Sequence, residues 1–178
     1  MKTSRLLTTI SFAFMMLISF NAEAQKFSSL DKSPLDAASF GRGNDQLIKV
    51  YYGRPQLKGR TVKELTQKDK VWRTGANEAT ELILFKDMEL GGKTVKAGTY
   101  SLFTMTGDKE WTVIISSDVN NWGSSGYKDD NTVASITVPV TEGKESLEAF
   151  SIAFDKADKG VVMHIGWGTT RVAVPFTI

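Results

Sequence analysis

The sequence contains no cysteine, one histidine and four prolines in 178 residues. Without cysteine, no disulfide can staple the chain and no thiolate can serve as nucleophile or metal ligand. With only one histidine besides, ordinary zinc sites and histidine-ligated haem lose most of their donors, so no metal and no cofactor is expected. An excess of one charge is missing too: 22 Lys+Arg face 20 Asp+Glu, a net +2. That balance offers no basic stripe for nucleic acid and little attraction to an anionic membrane surface. There is no alternation of strands with long helices, no internal repeat and no low-complexity tract. What remains is the composition of a soluble globular protein, 41% hydrophobic and 24% charged.

Residues 1–24 stand apart. Lys2 and Arg5 make a positive start, Leu6 to Phe20 is uncharged and apolar or small, and Ala22-Glu23-Ala24 presents the small-x-small pattern of a cleavage site. This is the form of a secretory signal peptide. The apolar run is shorter than the ~20 residues a spanning helix needs. Cleavage would leave Gln25 first, and no cysteine follows to take a lipid anchor. The mature chain of 154 residues (178 minus 24) keeps 20 basic and 19 acidic groups once Lys2, Arg5 and Glu23 are removed. The expected localisation is exported, periplasmic or extracellular, with no membrane span after cleavage. An exported chain without disulfides has to be held by a buried core, and ~150 residues suffice to build one.

Residues 25–45 read as an irregular lead-in, punctuated by Ser33-Pro34 and Gly41-Arg42-Gly43-Asn44, with a weak helical window at Leu35–Phe40. From residue 46 to 178 the pattern is that of a single β domain. Leu47–Tyr52 alternates with period two. Thr80–Lys86 is apolar on both faces, as in a central strand covered on each side. Met88–Leu90, Gly91-Gly92 and Lys93–Val95 form a strand, a two-glycine turn and a strand. Thr99–Thr106, Gly107-Asp108-Lys109 and Glu110–Ser116 read as a second hairpin. Thr132–Val138, Leu147–Phe154, Val161–Trp167 and Thr170–Thr177 are further strands. The best helical window, Lys63–Lys70, is short. The fold class is therefore all-β: an antiparallel β-sandwich or partly closed barrel of about nine or ten strands, with at most short helices.

One series of residues is more distinctive. It comprises Tyr52-Gly53-Arg54-Pro55, Lys58-Gly59-Arg60, the run Val71-Trp72-Arg73-Thr74-Gly75-Ala76-Asn77-Glu78-Ala79-Thr80, and Ala97-Gly98-Thr99-Tyr100-Ser101-Leu102-Phe103. Trp111-Thr112-Val113-Ile114 and Trp122-Gly123 continue it. The series resembles the domain of unknown function 2911 family of exported bacterial proteins, from about Tyr51 to the C-terminus. The resemblance implies an exported, mostly β domain and no particular reaction. In that pattern an acidic residue often follows the Trp of the penultimate strand; here Trp167 is followed by Gly168.

Arg54, Trp72, Arg73, Asn77 and Glu78 form the candidate ligand-binding group, with Arg60 nearby. A guanidinium grips a carboxylate, phosphate or hydroxyl pair with two parallel hydrogen bonds, and an adjacent indole can stack on a sugar face. The alternative is structural: Glu78 pairs with Arg73 or Arg54 to pin loops while Trp72 fills the core. His164 alternates with Met163, Ile165 and Trp167, which places it outward on a strand. Asp118, Asn120 and Gly123 faintly match a calcium loop, but Trp122 and Asp129 stand where ligands belong; a loop sealed by Trp122 and Tyr127 is the simpler reading. Gly92-Lys93-Thr94 lacks the first glycine of a phosphate loop, and Gly123-Ser124-Ser125-Gly126 lacks nucleophile-elbow spacing. The functional expectation is an exported binding or structural module for a small polar molecule, a glycan or an envelope protein. The alternative is a metal-independent hydrolase or isomerase using Glu78 and His164 as acid and base.

Overall fold

A computed structural model describes residues 25–67 and 70–178. The expected signal peptide at 1–24 lies outside them. The chain divides into two units, Met1–Leu30 and Asp31–Ile178. Of the first, the described residues 25–30 are exposed and carry no regular secondary structure. The second contains ten strands: β1 (Leu35–Phe40), β2 (Ile48–Gly53), β3 (Val71–Trp72), β4 (Thr80–Leu84), β5 (Met88–Leu90), β6 (Lys93–Val95), β7 (Gly98–Thr106), β8 (Glu110–Ser116), β9 (Thr132–Ala157) and β10 (Gly160–Thr177). One short helix, α1 (Val62–Thr66), lies between β2 and β3.

All ten strands join one antiparallel sheet in the order β1-β2-β4-β7-β8-β9-β10-β5-β6, with β3 added beside β7. The sheet is not closed into a barrel. Its folding-over is the work of β9 and β10, too long to stay on one layer. The first part of β9 pairs with β8 from Thr132 to Pro139. The hairpin then continues past register shifts at Gly166, Gly168 and Thr170, and its far half reaches the end of β2. There Phe150 N donates to Pro55 O at 2.9 Å, Leu57 N donates to Glu148 O at 3.0 Å, and Gln56 pairs with Ala149. The Tyr52 hydroxyl takes the Ile152 amide at 3.0 Å, and burial pushes this phenol above its ordinary 10.0. All-β architecture and strand number agree with the sequence reading.

The register shifts leave backbone carbonyls without ladder partners, and Arg171 meets that need. Its guanidinium donates to Gly168 O and Thr170 O, each at 2.8 Å, and to Glu145 O at 2.6 Å. Gly168 itself sits at φ +55°, where a side chain is disfavoured, which accounts for glycine after Trp167.

Three local expectations are corrected. Leu35–Phe40 is not helical or irregular; it pairs with β2 in register from Leu35↔Gly53 to Phe40↔Ile48, because the partner edge supplies hydrogen bonds that local pattern does not reveal. β4 is central but covered chiefly on one side: Leu82 and Leu84 are buried, whereas Phe85 beyond it is exposed. The four separate strands expected over 132–177 are two long ones, because Gly143, Gly166 and Gly168 accommodate bends rather than turns. The helix is shorter than its sequence window, with a reciprocal cap in which Glu64 N meets Thr61 Oγ1 and Thr61 N meets the Glu64 carboxylate at 2.7 Å.

The core lies between the folded layers. Trp72 stacks on Trp167 with centroids 5.7 Å apart and rings 12° from parallel, and meets Trp111 and Phe150 edge-on. Trp167 Nε1 donates to Glu148 O at 3.2 Å, so its one polar atom is satisfied. Replacing Trp167 by Ala should destabilise the protein by about 3–5 kcal/mol. Chemical denaturation checks this; a loss below about 1 kcal/mol would mean that the stack is peripheral.

Candidate functional site

The distinctive run at 72–80 is a loop shaped by its backbone. Leaving β3, Thr74 and Asn77 adopt φ +55° and +63°. Asparagine tolerates that region; a β-branched threonine seldom does, at a cost of about 1–3 kcal/mol. The surroundings hold Thr74 there. It is fully buried, its hydroxyl meets Thr104 Oγ1 at 3.2 Å, and its carbonyl accepts from Thr80 Oγ1 at 2.7 Å. Thr80 N donates to Arg73 O at 3.0 Å, closing the loop at its base. The loop lies directly on β2: Ala76 N donates to Gly53 O, and a Cβ at Gly53 would stand 2.3 Å from Ala76 O. Glycine at 53 is therefore required by the approach of two backbones.

The segment between β8 and β9 docks on the other side of this loop. Ala79 N donates to Asn121 O at 2.9 Å, Gly123 N donates to Asn77 O at 3.1 Å, and Glu78 pairs with Trp122. Asp118 is spent on the segment itself: its carboxylate accepts from Asn131 Nδ2 at 2.6 Å and from the Ser116 hydroxyl. Among the described residues no group of three or more His, Asp or Glu is placed to hold a metal ion. Tyr127 packs on Phe103 at 5.1 Å, as expected of a sealing residue. Trp122 does the opposite. It is 70% exposed and seals nothing.

These two segments and residues 31–35 enclose an open cleft of about 510 Å³. Its floor is Tyr51, Tyr52, Gly53 and Ala76; Trp122 and Leu35 form apolar lips; Asp31, Glu78 and Glu81 supply the charge. The wall at 31–35 is pinned where Arg54 N donates to Pro34 O. Asp31 accepts from the Ser33 amide at 2.6 Å and from the Asn77 side chain, and these bonds hold its carboxyl below the ordinary 3.8.

The sequence-derived group of five is divided by the fold. Asn77 and Glu78 line the cleft. Trp72 lies in the core, 7% exposed. Arg54 clamps three strands together: Nε donates to Phe150 O, Nη1 pairs with Asp36 at 3.0 Å, and Nη2 donates to Ser151 Oγ at 2.8 Å. Arg73 is partly buried, its Nε without a hydrogen-bond partner and its Nη1 beside Gly123. Neither arginine forms an ion pair with Glu78 among the described residues. Arg60 folds back on Gln56 O and Leu57 O. His164 faces outward as its alternation predicts, 3.2 Å from Asp155, and is not part of the cleft that contains Glu78. Sequence reasoning missed Asp31, Tyr51, Glu81 and Trp122. Only Trp122 left a signal, as an indole in the polar stretch Asn120-Asn121-Trp122-Gly123-Ser124-Ser125 without apolar neighbours to pack on.

The model of the family described as "Protein of unknown function (DUF2911)" matches residues 33–176. The chain belongs to this family. No curated protein and no solved structure matches it. The match takes in most of the cleft, its floor, the 73–79 loop and Trp122, and leaves Asp31 just outside.

Two outcomes follow from this geometry. Gly53→Ala should cost about 1–3 kcal/mol in chemical denaturation, because the new methyl meets backbone rather than a movable side chain; unchanged stability would refute the close approach. Asp31 should titrate below 3.8 by carboxyl NMR, and Asn77→Gly should raise that value part-way, leaving the Ser33 contribution. A carboxyl whose pKa is depressed by folding adds stability above its unfolded pKa, which is lost as pH falls through the folded value. This small contribution should therefore vanish only in acid below 3.8.

Proposed function

We propose that this protein is an exported module that binds a small polar ligand in the cleft beneath Trp122. The observation that carries the reading is an indole left 70% exposed at the lip of a concavity of about 510 Å³. Clefts of roughly 300–1,000 Å³ with aromatic walls and a few convergent polar groups are the usual form of small-molecule sites. Tyr51 adds a second ring, while Glu78 and Asn77 supply oxygen and amide groups at the rim. Asn77 and Glu78 are the contacts kept from the sequence reading. Arg54 and Trp72 are assigned to holding the strands that carry them, and Arg73 does not line the cleft.

Export rests on the signal-like residues 1–24. No helix among the described residues is long and apolar enough to cross a membrane. The acid–base alternative has less support, because His164 and Glu78 do not share the cleft and a common substrate atom would have to lie within hydrogen-bond reach of both.

A thermal-shift screen of the chain beginning at Gln25, against sugars, nucleotides, amines, organic acids and metals, tests the reading. A ligand at one hundred times its Kd should add about 2.7 kcal/mol of stability. The shift should disappear in Trp122→Ala, whose own stability should stay within about 0.5 kcal/mol of the parent because the indole packs on little. Hits that survive Trp122→Ala would place binding elsewhere. For export, N-terminal sequencing of secreted protein should begin at Gln25; retention of Met1 would refute cleavage.

A further inference from the structure

We infer that the ligand of this cleft is an organic cation, an ammonium group on an apolar body. This rests on the cleft reading above and specifies its chemistry. Every charged side chain lining the cleft is acidic: Asp31, Glu78 and Glu81. Of the arginines that the sequence placed near the site, Arg54 is bound to Asp36 and β9, and Arg73 lies beside Gly123 and does not line the cleft. Glu81 lies directly opposite Tyr51 across the β2–β4 ladder, partly buried and without an ion pair among the described residues. Glu78 is exposed and likewise unpaired among the described residues. An anionic ligand would meet three carboxylates and no cation among the lining side chains, and a neutral one would leave Glu78 and Glu81 without a counter-charge from that lining.

A second, independent observation concerns the rings. Lys49 already places its ammonium 4.4 Å from the centroid of the Tyr51 ring, so the aromatic floor residue carries a cation within the molecule itself. An ammonium over an aromatic face is held by the ring quadrupole, and indole is the strongest such partner. Trp122 offers that face from the lip while Leu35, also exposed there, offers surface to an alkyl or aryl body. The volume suits a small molecule, because a protein partner would need a far larger contact than this cleft presents.

Three probes of matched shape decide the matter: phenethylamine, phenethyl alcohol and phenylacetate, followed by the NMR shift of the Trp122 indole. The amine should bind about tenfold more tightly than the alcohol, from one cation–π contact and one or two carboxylates, with phenylacetate weakest. The preference should fall towards parity in the Glu78→Gln, Glu81→Gln double variant and should weaken as salt is raised in the parent protein. The salt series stands if the double variant does not fold. Equal binding of amine and alcohol, tightest binding of phenylacetate, no binding of the amine, or a preference indifferent to both salt and the variant would each overturn the inference. If amine and alcohol bind equally and both are lost in Trp122→Ala, the cleft remains a binding site and only its cation preference falls.

Discussion

Trp72 against Trp167 is the contact on which the architecture turns. Trp72 belongs to the two-residue strand beside β7, Trp167 to the far half of the β9–β10 hairpin. With no disulfide available, apolar burial has to hold the returning hairpin over the first layer, and the largest rings in the chain supply it. Phe150 and Trp111 complete the cluster edge-on. Everything at the cleft stands downstream of that closure. The Arg54 clamp, the Tyr52–Ile152 hydrogen bond and the bridge at Gln56 all require the hairpin to have come back.

The family run from Trp72 to Thr80 then reads as one device with two ends. Its first residue enters the core; its last ones, Asn77, Glu78 and Ala79, face the cleft. Between them the chain makes two left-handed residues and lies on Gly53 without room for a side chain. The strain at Thr74 is absorbed by burial and by its bonds to Thr80 and Thr104. Such a loop is rigid at its base, so the groups on its rim are presented by the fold rather than found by diffusion of a flexible segment.

How much of this was readable beforehand can be said residue by residue. Strands with period-two burial, such as β2 and β4, announced themselves, and so did the Gly91-Gly92 turn, whose two positive φ angles only glycine adopts freely. β1 did not, because its alternation of exposed and half-buried residues is too weak to register without a partner edge. Gly168-Thr169 looked like a break between two strands, yet Arg171 satisfies the carbonyls that the bend frees, and the strand continues. Arg54 carried the right chemistry for gripping a ligand and uses it on Asp36, Ser151 and a backbone carbonyl instead. Residue type alone cannot distinguish those fates, because both satisfy the same five donors.

Composition and periodicity by themselves determined an all-β chain held by a buried core, poor in metal-binding side chains, with a leader-like first segment. These are local properties: a side chain's polarity, its spacing, the freedom of a glycine. Tertiary structure alone decided that Arg54 would face inward, that Trp122 would be left without packing partners, and that Asp31 would join Glu78 and Glu81 around one concavity from a distant stretch of chain. Contact between residues fifty apart depends on which strands pair and where a long hairpin bends, and no local signal encodes that.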